Sequence, residues 1–176
     1  WGWQDAEIQP MQLKNKSQAE RKTYLAVMDL TNLQINQLAT LEVDNVQLEN
    51  KITKDFALAY TDQPYRRSYS WDIQIGRDLY LVDFKTGAQK LIEKNASGFA
   101  RLSPDGKQVY VSNRGDANTI SVFGKRPSGQ YVLVQNIPSG GLMPRNFNLT
   151  ADGKYLLAAH QASNDIVVFE RDEFTG

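Results

Sequence analysis

A segment that occurs twice constrains the fold of this chain more than any other feature. The first copy begins with LSPDGK at 102–107 and the second with LTADGK at 149–154, and two strand-like runs follow each. The aspartates Asp105 and Asp152 lie 47 positions apart. A repeat of about 40–50 residues built from short strands is typical of one blade of a β-propeller.

Short apolar runs of strand length also fill the chain before the repeat. The sequence therefore predicts an all-β fold, a β-propeller of four-stranded antiparallel blades, with about four blades and incomplete blades at the ends. We place a partial blade at 1–43, blades at 44–94 and 95–138, and a blade lacking its last strand at 139–176. The Asp-Gly pairs predict tight turns between the first and second strands of a blade, because Gly accepts a positive φ.

We expect very little helix. The polar run 17–22 predicts a loop or one helical turn, and 7–13 is an alternative inner strand for the first blade. The apolar run 24–30 predicts a buried strand. The connection 64–76 is long for a hairpin, and long loops on rigid scaffolds often bind ligands.

Composition excludes several classes of function. Lys+Arg and Asp+Glu are both 20, so we expect no nucleic-acid partner and no membrane partner. With no cysteine, disulfides, thiolate nucleophiles and Cys-ligated zinc are excluded, and no other metal-ligand spacing or cofactor motif is visible. We expect a soluble protein without a signal peptide or transmembrane segment in this chain, in an unknown compartment.

Residues from about 102 to 176 resemble the seven-bladed lactonase family that includes 6-phosphogluconolactonase. The motifs are VSNRG at 111–115, TISVF at 119–123, GG at 140–141, PRNF at 144–147 and NDIVVFER at 164–171. The resemblance implies a seven-bladed fold and a substrate site at the mouth of the central channel.

Residues from 1 to about 105 instead resemble the propeller domain of dipeptidyl-peptidase-IV-like serine peptidases. The motifs are YLAVMDL at 24–30, FALAY at 56–60, WD at 71–72 and DLYLVDFKTG at 78–87. This resemblance implies no catalysis here, because a Gly-x-Ser-x-Gly elbow is absent from the chain.

The two resemblances lead us to favour an engineered chimera, a propeller scaffold without retained catalysis. We do not expect one natural protein to carry half of each family within 176 residues. A natural truncated propeller is the alternative. In either case incomplete terminal blades expose strand edges, and we expect a homodimer formed through these edges. Completion of the last blade by the N-terminal strand is the competing way to cover them.

The candidate site lies at the rim opposite the Asp-Gly turns. Strand direction alternates within a blade, so Asn113, Arg114 and His160, which end second strands, share a rim with Arg145, which precedes a first strand. The lactonase resemblance implies a role for Arg145 in its Pro-Arg motif, where a guanidinium can bind carboxylate or phosphate.

Two further functions compete with the scaffold interpretation. A lactonase-like hydrolase would use Arg145 with His160, the single histidine and the candidate for proton transfer. A peptide- or ligand-binding module would use Tyr65, Arg66 and Arg67 in the long connection.

Overall fold

The structure is a computed structural model that describes residues 2, 4–48, 55–72 and 76–176. It contains an α-helix, a 3-10 helix and short strands. In chain order these are α1 (Gln9–Glu20), β1 (Ala26–Met28), β2 (Ile35–Gln37), β3 (Asn45–Gln47), β4 (Phe56–Thr61), the 3-10 helix (Gln63–Ser70), β5 (Arg77–Asp83), β6 (Gln89–Ala96), β7 (Ala100–Leu102), β8 (Gln108–Asn113), β9 (Thr119–Lys125), β10 (Tyr131–Pro138), β11 (Pro144–Leu149), β12 (Tyr155–His160) and β13 (Ile166–Glu170).

Within the described residues the strands form four antiparallel sheets. Sheet I pairs β1 with β2, sheet II contains β3 to β6, sheet III contains β7 to β10, and sheet IV contains β11 to β13. Each strand pairs with its neighbour in sequence, which is the arrangement of a propeller blade. The predicted all-β propeller class is confirmed.

Apolar clusters join each sheet to the next. In β8, Val109 and Val111 pack in the cluster that includes Leu58 and Leu81 of sheet II, whereas Tyr110 packs in the cluster shared with sheet IV. A third cluster lies between the region of sheet I and sheet II. Sheet III is therefore covered on both faces, and so β8 is a nearly continuous buried run.

The Asp-Gly pairs form the predicted turns between first and second strands. Gly106 and Gly153 have φ of 68° and 71°, which only glycine adopts without strain. In the first turn the Ser103 hydroxyl lies 2.5 Å from Asp105 Oδ1, and the equivalent hydroxyl lies 2.6 Å from Asp152 Oδ1. The two copies therefore share side-chain hydrogen bonding as well as sequence.

A buried arginine joins the two turns. Arg171 follows β13 and its side chain is 4% exposed. Its Nη2 donates to both carboxylate oxygens of Asp105 at 3.2 and 3.0 Å, and its Nη1 donates to the Gly153 carbonyl at 3.0 Å. Its Nε lies 2.9 Å from both Gln108 Oε1 and Tyr110 Oη. The guanidinium is thus neutralised and hydrogen-bonded where it is buried, as a buried charge requires.

The N-terminal segment departs from the sequence prediction. Residues 7–13 do not form an inner strand and 17–22 are not simply a loop, because α1 occupies most of both. Pro10 lies in the first turn of α1, where its missing N–H costs nothing, and good helix formers follow it. None of its residues is buried. No helix in the described ranges combines the length and apolar character needed to cross a bilayer.

The run 24–30 was predicted as a buried strand, and that prediction is wrong. Only β1 is a strand, and Leu30 is 83% exposed. Sheet I has two strands among the described residues, and its Met28 and Ile35 are 47% and 61% exposed. Composition alone does not distinguish a buried apolar run from an exposed one.

We expect Arg171→Met to destabilise the fold by about 3 kcal/mol, because it leaves the Asp105 carboxylate without its buried cation. The change is measured as the free energy of unfolding in urea. Arg126→Met, at an exposed position in a hairpin turn, removes the same charge. It is expected to change the free energy of unfolding by less than about 0.5 kcal/mol. Equal effects of the two substitutions would contradict the structural role of Arg171.

Asp105 is expected to make stability depend on pH. Burial acts to raise its pKa, but hydrogen bonds from Ser103, the Lys107 backbone and Arg171, with the charge of Arg171, lower it below 3.8. A carboxyl whose folded pKa is lowered stabilises the fold above its unfolded pKa, and this contribution is lost as pH falls through the folded value. Between pH 5 and pH 3, the free energy of unfolding in urea should therefore fall less for Asp105→Asn than for the wild type. Asp116→Asn, at an exposed position, should follow wild type.

We expect the chain to self-associate through the exposed surfaces at its terminal sheets. On sheet IV, Ile166 and Val168 are 66% and 57% exposed, and on sheet I Ile35 is 61% exposed. Sedimentation velocity at micromolar concentration should show a species of twice the monomer mass, because exposed apolar faces favour pairing. Val168→Lys should lower its fraction, whereas Leu133→Lys, on the outer strand of sheet III and also 57% exposed, should not. A wild-type monomer at every concentration would refute this expectation.

Candidate functional site

Loops at the ends of second strands meet a loop that precedes a first strand, as strand direction requires. We call these the rim loops: 114–118 after β8, 139–143 before β11 and 161–165 after β12. The Gln161 N–H donates to the Met143 carbonyl at 3.0 Å, and the Met143 N–H donates to Asn118 Oδ1 at 2.6 Å. Hydrogen bonds therefore connect the three rim loops across sheets III and IV.

Two arginines from different sheets converge on one neutral oxygen. Arg114 Nη2 and Arg145 Nη1 lie 3.3 and 2.9 Å from Gln161 Oε1. We call this pair the rim arginines. Among the described residues no carboxylate forms an ion pair with either guanidinium, and Arg114 Nε is buried without a hydrogen-bond partner. Two positive charges held by a neutral acceptor retain donors for an anion.

Asn113 was also predicted to lie in the site. Its Nδ2 donates to Thr119 Oγ1 at 3.0 Å and to Ser121 Oγ at 2.9 Å, which ties β8 to β9. Both amide hydrogens are therefore used within sheet III. In this structure Asn113 supports the rim and has only its oxygen free for a ligand.

His160 is next to Gln161 in sequence but its ring faces the interior. Its side chain is fully buried, and Nδ1 lies 2.8 Å from Asp165 Oδ1. This short distance is not an aligned hydrogen bond, because the ring N–H does not point at the carboxylate, and Nε2 also has no partner among the described residues. Gly141 lies directly against the ring, where a Cβ would approach Cγ to 2.5 Å. The structure does not bring the His160 ring to the surface beside Arg145.

The connection 64–76 was predicted as an open loop. Most of it forms the 3-10 helix, and its residues 73–75 lie outside the described part of the chain. Tyr65 Oη donates to Asp78 Oδ1 at 2.6 Å, and burial, with this hydrogen bond, raises the Tyr65 pKa to about 12. This hydroxyl therefore stays protonated and is engaged within sheet II. Arg67 is exposed near the middle of the helix.

A cavity of about 1020 Å³ lies between α1 and the 3-10 helix. Arg66 on its wall lies 2.8 Å from Asp62 and 3.6 Å from Asp44, and Lys22 also contacts Asp44. Although burial acts to raise the pKa of Asp62, hydrogen bonds from Tyr69 and Arg66 lower it. Arg66 and Lys22 are thus already paired with carboxylates, unlike the rim arginines.

The residue that sequence reasoning missed is Gln161. It lies 47 positions after Arg114, the same interval that separates Asp105 from Asp152, so it occupies the equivalent position in the second copy of the repeat. Aligning the copies through the rim could have identified it. Its contact with Arg145 has no signal in the sequence, since the hydrogen bond depends on the packing of the rim loops.

Comparison with known proteins identifies relatives of this chain. The family model for lactonase, 7-bladed beta-propeller, matches residues 78–176. A 6-phosphogluconolactonase from Formosa agariphila is 38% identical over 99 residues, which are 55% of this chain and 28% of that protein. A solved structure from Bacteroides uniformis, provisionally assigned as a 6-phosphogluconolactonase, is 29% identical with a TM-score of 0.56, and the match covers 86% of this chain and 44% of that one.

A further structure from Bacteroides fragilis carries the same provisional assignment and shows the fold alone. It is 24% identical with a TM-score of 0.54, and the match covers 89% of this chain and 54% of that one. The chain thus spans between about a quarter and about half of the length of these relatives.

These comparisons correct the prediction of an engineered scaffold without catalysis. The named relatives are lactonases, which favours the lactonase-like alternative. A single lactonase-like structure covers 86% of the chain, so it extends through much of residues 1–105 as well. The comparisons give no support to a peptidase-like first half or to a chimera.

Proposed function

Because the chain belongs to the lactonase, seven-bladed β-propeller family, we propose that it forms the anion-binding part of a lactone-hydrolysing site. The observation that carries the proposal is the convergence of the rim arginines on Gln161 Oε1, at 3.3 and 2.9 Å. Two cations that no carboxylate among the described residues neutralises support a site at this rim.

Lactone hydrolysis requires positive charge at defined places. Water adds to the ring carbonyl, the carbonyl oxygen becomes negative, and the ring C–O bond then breaks to give an alcohol and a carboxylic acid. The acid ionises to a carboxylate. Preorganised donors aimed at the developing oxyanion stabilise the transition state, and a guanidinium also binds the carboxylate of the product in two-point geometry. Either rim arginine supplies such donors.

The neutral side chain of Gln161 explains how the site keeps its charge. A carboxylate between Arg114 and Arg145 would hold them equally well but would neutralise them. The amide oxygen accepts from both guanidinium groups and leaves their charge for a ligand. Because the two guanidinium groups repel each other, an anion bound between them relieves that repulsion.

The names of the relatives favour a phosphorylated sugar lactone as the substrate. Such a molecule carries a phosphate far from its reactive carbonyl, so it presents two groups that cations recognise. The rim arginines arise from separate sheets, Arg114 after β8 and Arg145 within β11. Because one nitrogen of each guanidinium lies within 3.3 Å of Gln161 Oε1, the two cations are close enough to bind one anionic group of the substrate together.

His160 stays a candidate for proton transfer. For it to act as a general base, a water molecule would have to reach the buried Nε2, which has no partner within the described ranges. The proposal therefore assigns anion binding to the rim arginines and does not depend on His160 as a base.

We expect Arg145→Ala to lower kcat/KM for hydrolysis of 6-phosphoglucono-lactone by about 100-fold, because it removes donors from the transition state. The rate is followed by pH-stat titration of the acid released, after subtraction of spontaneous hydrolysis. Arg126→Ala removes the same charge at an exposed hairpin turn and should leave kcat/KM unchanged. Absence of hydrolysis by wild type, or equal rates for wild type and Arg145→Ala, would refute the proposed function.

A further inference from the structure

We propose that His160 is a positioning residue, which acts with Asp165 beneath Gly141 to hold Gln161 between the rim arginines. The inference takes the rim arginines as the site and so rests on the proposed function. It assigns a task to a buried polar group that anion binding does not use directly.

The loop that carries Gln161 is closed by Asp165. The backbone N–H of His160 donates to the backbone carbonyl of Asp165 at 3.0 Å. This hydrogen bond closes the loop between β12 and β13. The Ser163 hydroxyl lies 3.0 Å from Asp165 Oδ1 and accepts from the Leu142 N–H at 3.0 Å. The Asp165 carboxylate therefore organises both its own loop and the neighbouring rim loop.

The backbone around Gln161 is fixed by that neighbouring loop. The N–H groups of Gln161 and Ala162 donate to the carbonyls of Met143 and Leu142 at 3.0 and 3.1 Å. The position of the Gln161 side chain consequently depends on how the loops 139–143 and 161–165 sit against each other. The His160 ring and the Asp165 carboxylate lie at this junction.

The burial of His160 argues against a merely space-filling ring. Its side chain has no exposure, and neither ring nitrogen makes an aligned hydrogen bond within the described part of the protein. An unsatisfied buried polar group is unfavourable, and an aliphatic side chain would fill the same space without that cost. The 2.8 Å approach of Nδ1 to Asp165 Oδ1 is the contact that gives the imidazole an advantage over an aliphatic side chain.

Gly141 shows how closely the loop rests on this pair. A Cβ at that position would lie 2.5 Å from His160 Cγ, 2.6 Å from Nδ1 and 2.7 Å from Asp165 Oδ1. Real Cβ atoms do not approach other atoms so closely, so any side chain here must displace the ring or the carboxylate. The backbone of loop 139–143 therefore packs directly against the His160–Asp165 pair.

The first test compares His160→Asn with His160→Leu. The Asn amide places a nitrogen near the position of Nδ1 and can donate to Asp165, whereas Leu fills the space without a donor. With inorganic phosphate as the probe in isothermal titration, His160→Asn should bind within about threefold of wild type. His160→Leu should bind at least tenfold more weakly although it unfolds at a similar temperature. Equal phosphate affinity of the two variants would overturn the proposal.

The second test uses steric complementation. Gly141→Ala should weaken phosphate binding by displacing the ring. Adding His160→Ala removes the ring atoms that the new Cβ would strike, and adding Asp165→Ala as well removes the carboxylate oxygen at 2.7 Å. If His160 and Asp165 position Gln161, this triple variant still binds weakly. Recovery of affinity in the triple variant would show that only the volume at this junction matters, and would refute the proposal.

The third test needs no ligand and separates this inference from the proposed function. The NMR signals of the Gln161 side-chain amide should shift in His160→Leu and stay near their wild-type positions in His160→Asn. Unchanged signals in His160→Leu would overturn the inference even if lactone hydrolysis is observed. Shifted signals in His160→Leu, together with no lactone hydrolysis by the wild type, would refute the proposed function and leave the positioning role supported.

Discussion

Apolar packing between the faces of successive sheets is the interaction on which the rest of this structure depends. A strand in a covered sheet must present apolar side chains on both faces, and β8 does so, with Val109 on one face and Tyr110 on the other. Once sheets III and IV are packed in this way, their strand ends fall on common rims. The rim loops meet for this reason, and the rim arginines come together across two sheets.

Arginine has opposite tasks at the two ends of these sheets. At the Asp-Gly end, Arg171 is buried, paired with Asp105 and fully engaged by neighbours, so it stabilises the junction of the two repeat copies. At the rim, Arg145 is exposed and its acceptor Gln161 is neutral, so its charge is available. The difference lies in the partners. A buried guanidinium requires a carboxylate, whereas an exposed one is stable in water without one and can bind an anionic ligand.

Local patterns predicted the strands and the Asp-Gly turns well, because turn conformation and strand periodicity depend on neighbouring residues. The same approach failed for 24–30, since an apolar run does not reveal whether another sheet covers it. It also failed for α1, whose polar residues gave no periodic signal. The rim arginines were named from the repeat and the Pro-Arg motif, but Gln161 was missed although it occupies the repeat position of Arg114. The prediction of a catalysis-free chimera was wrong, because short motifs in residues 1–105 do not identify a second family.

By itself the sequence determined the strand order, the Asp-Gly turns and the end of the sheets at which Arg114 and Arg145 lie, because each of these follows from short-range pattern and strand direction. Only the tertiary structure decided that the His160 ring is buried, that Arg171 is neutralised, and that Arg145 shares Gln161 with a second arginine. These properties depend on burial and on arginine side-chain hydrogen bonds between residues 16 to 66 positions apart. Packing brings such residues together, and no local pattern encodes their distance.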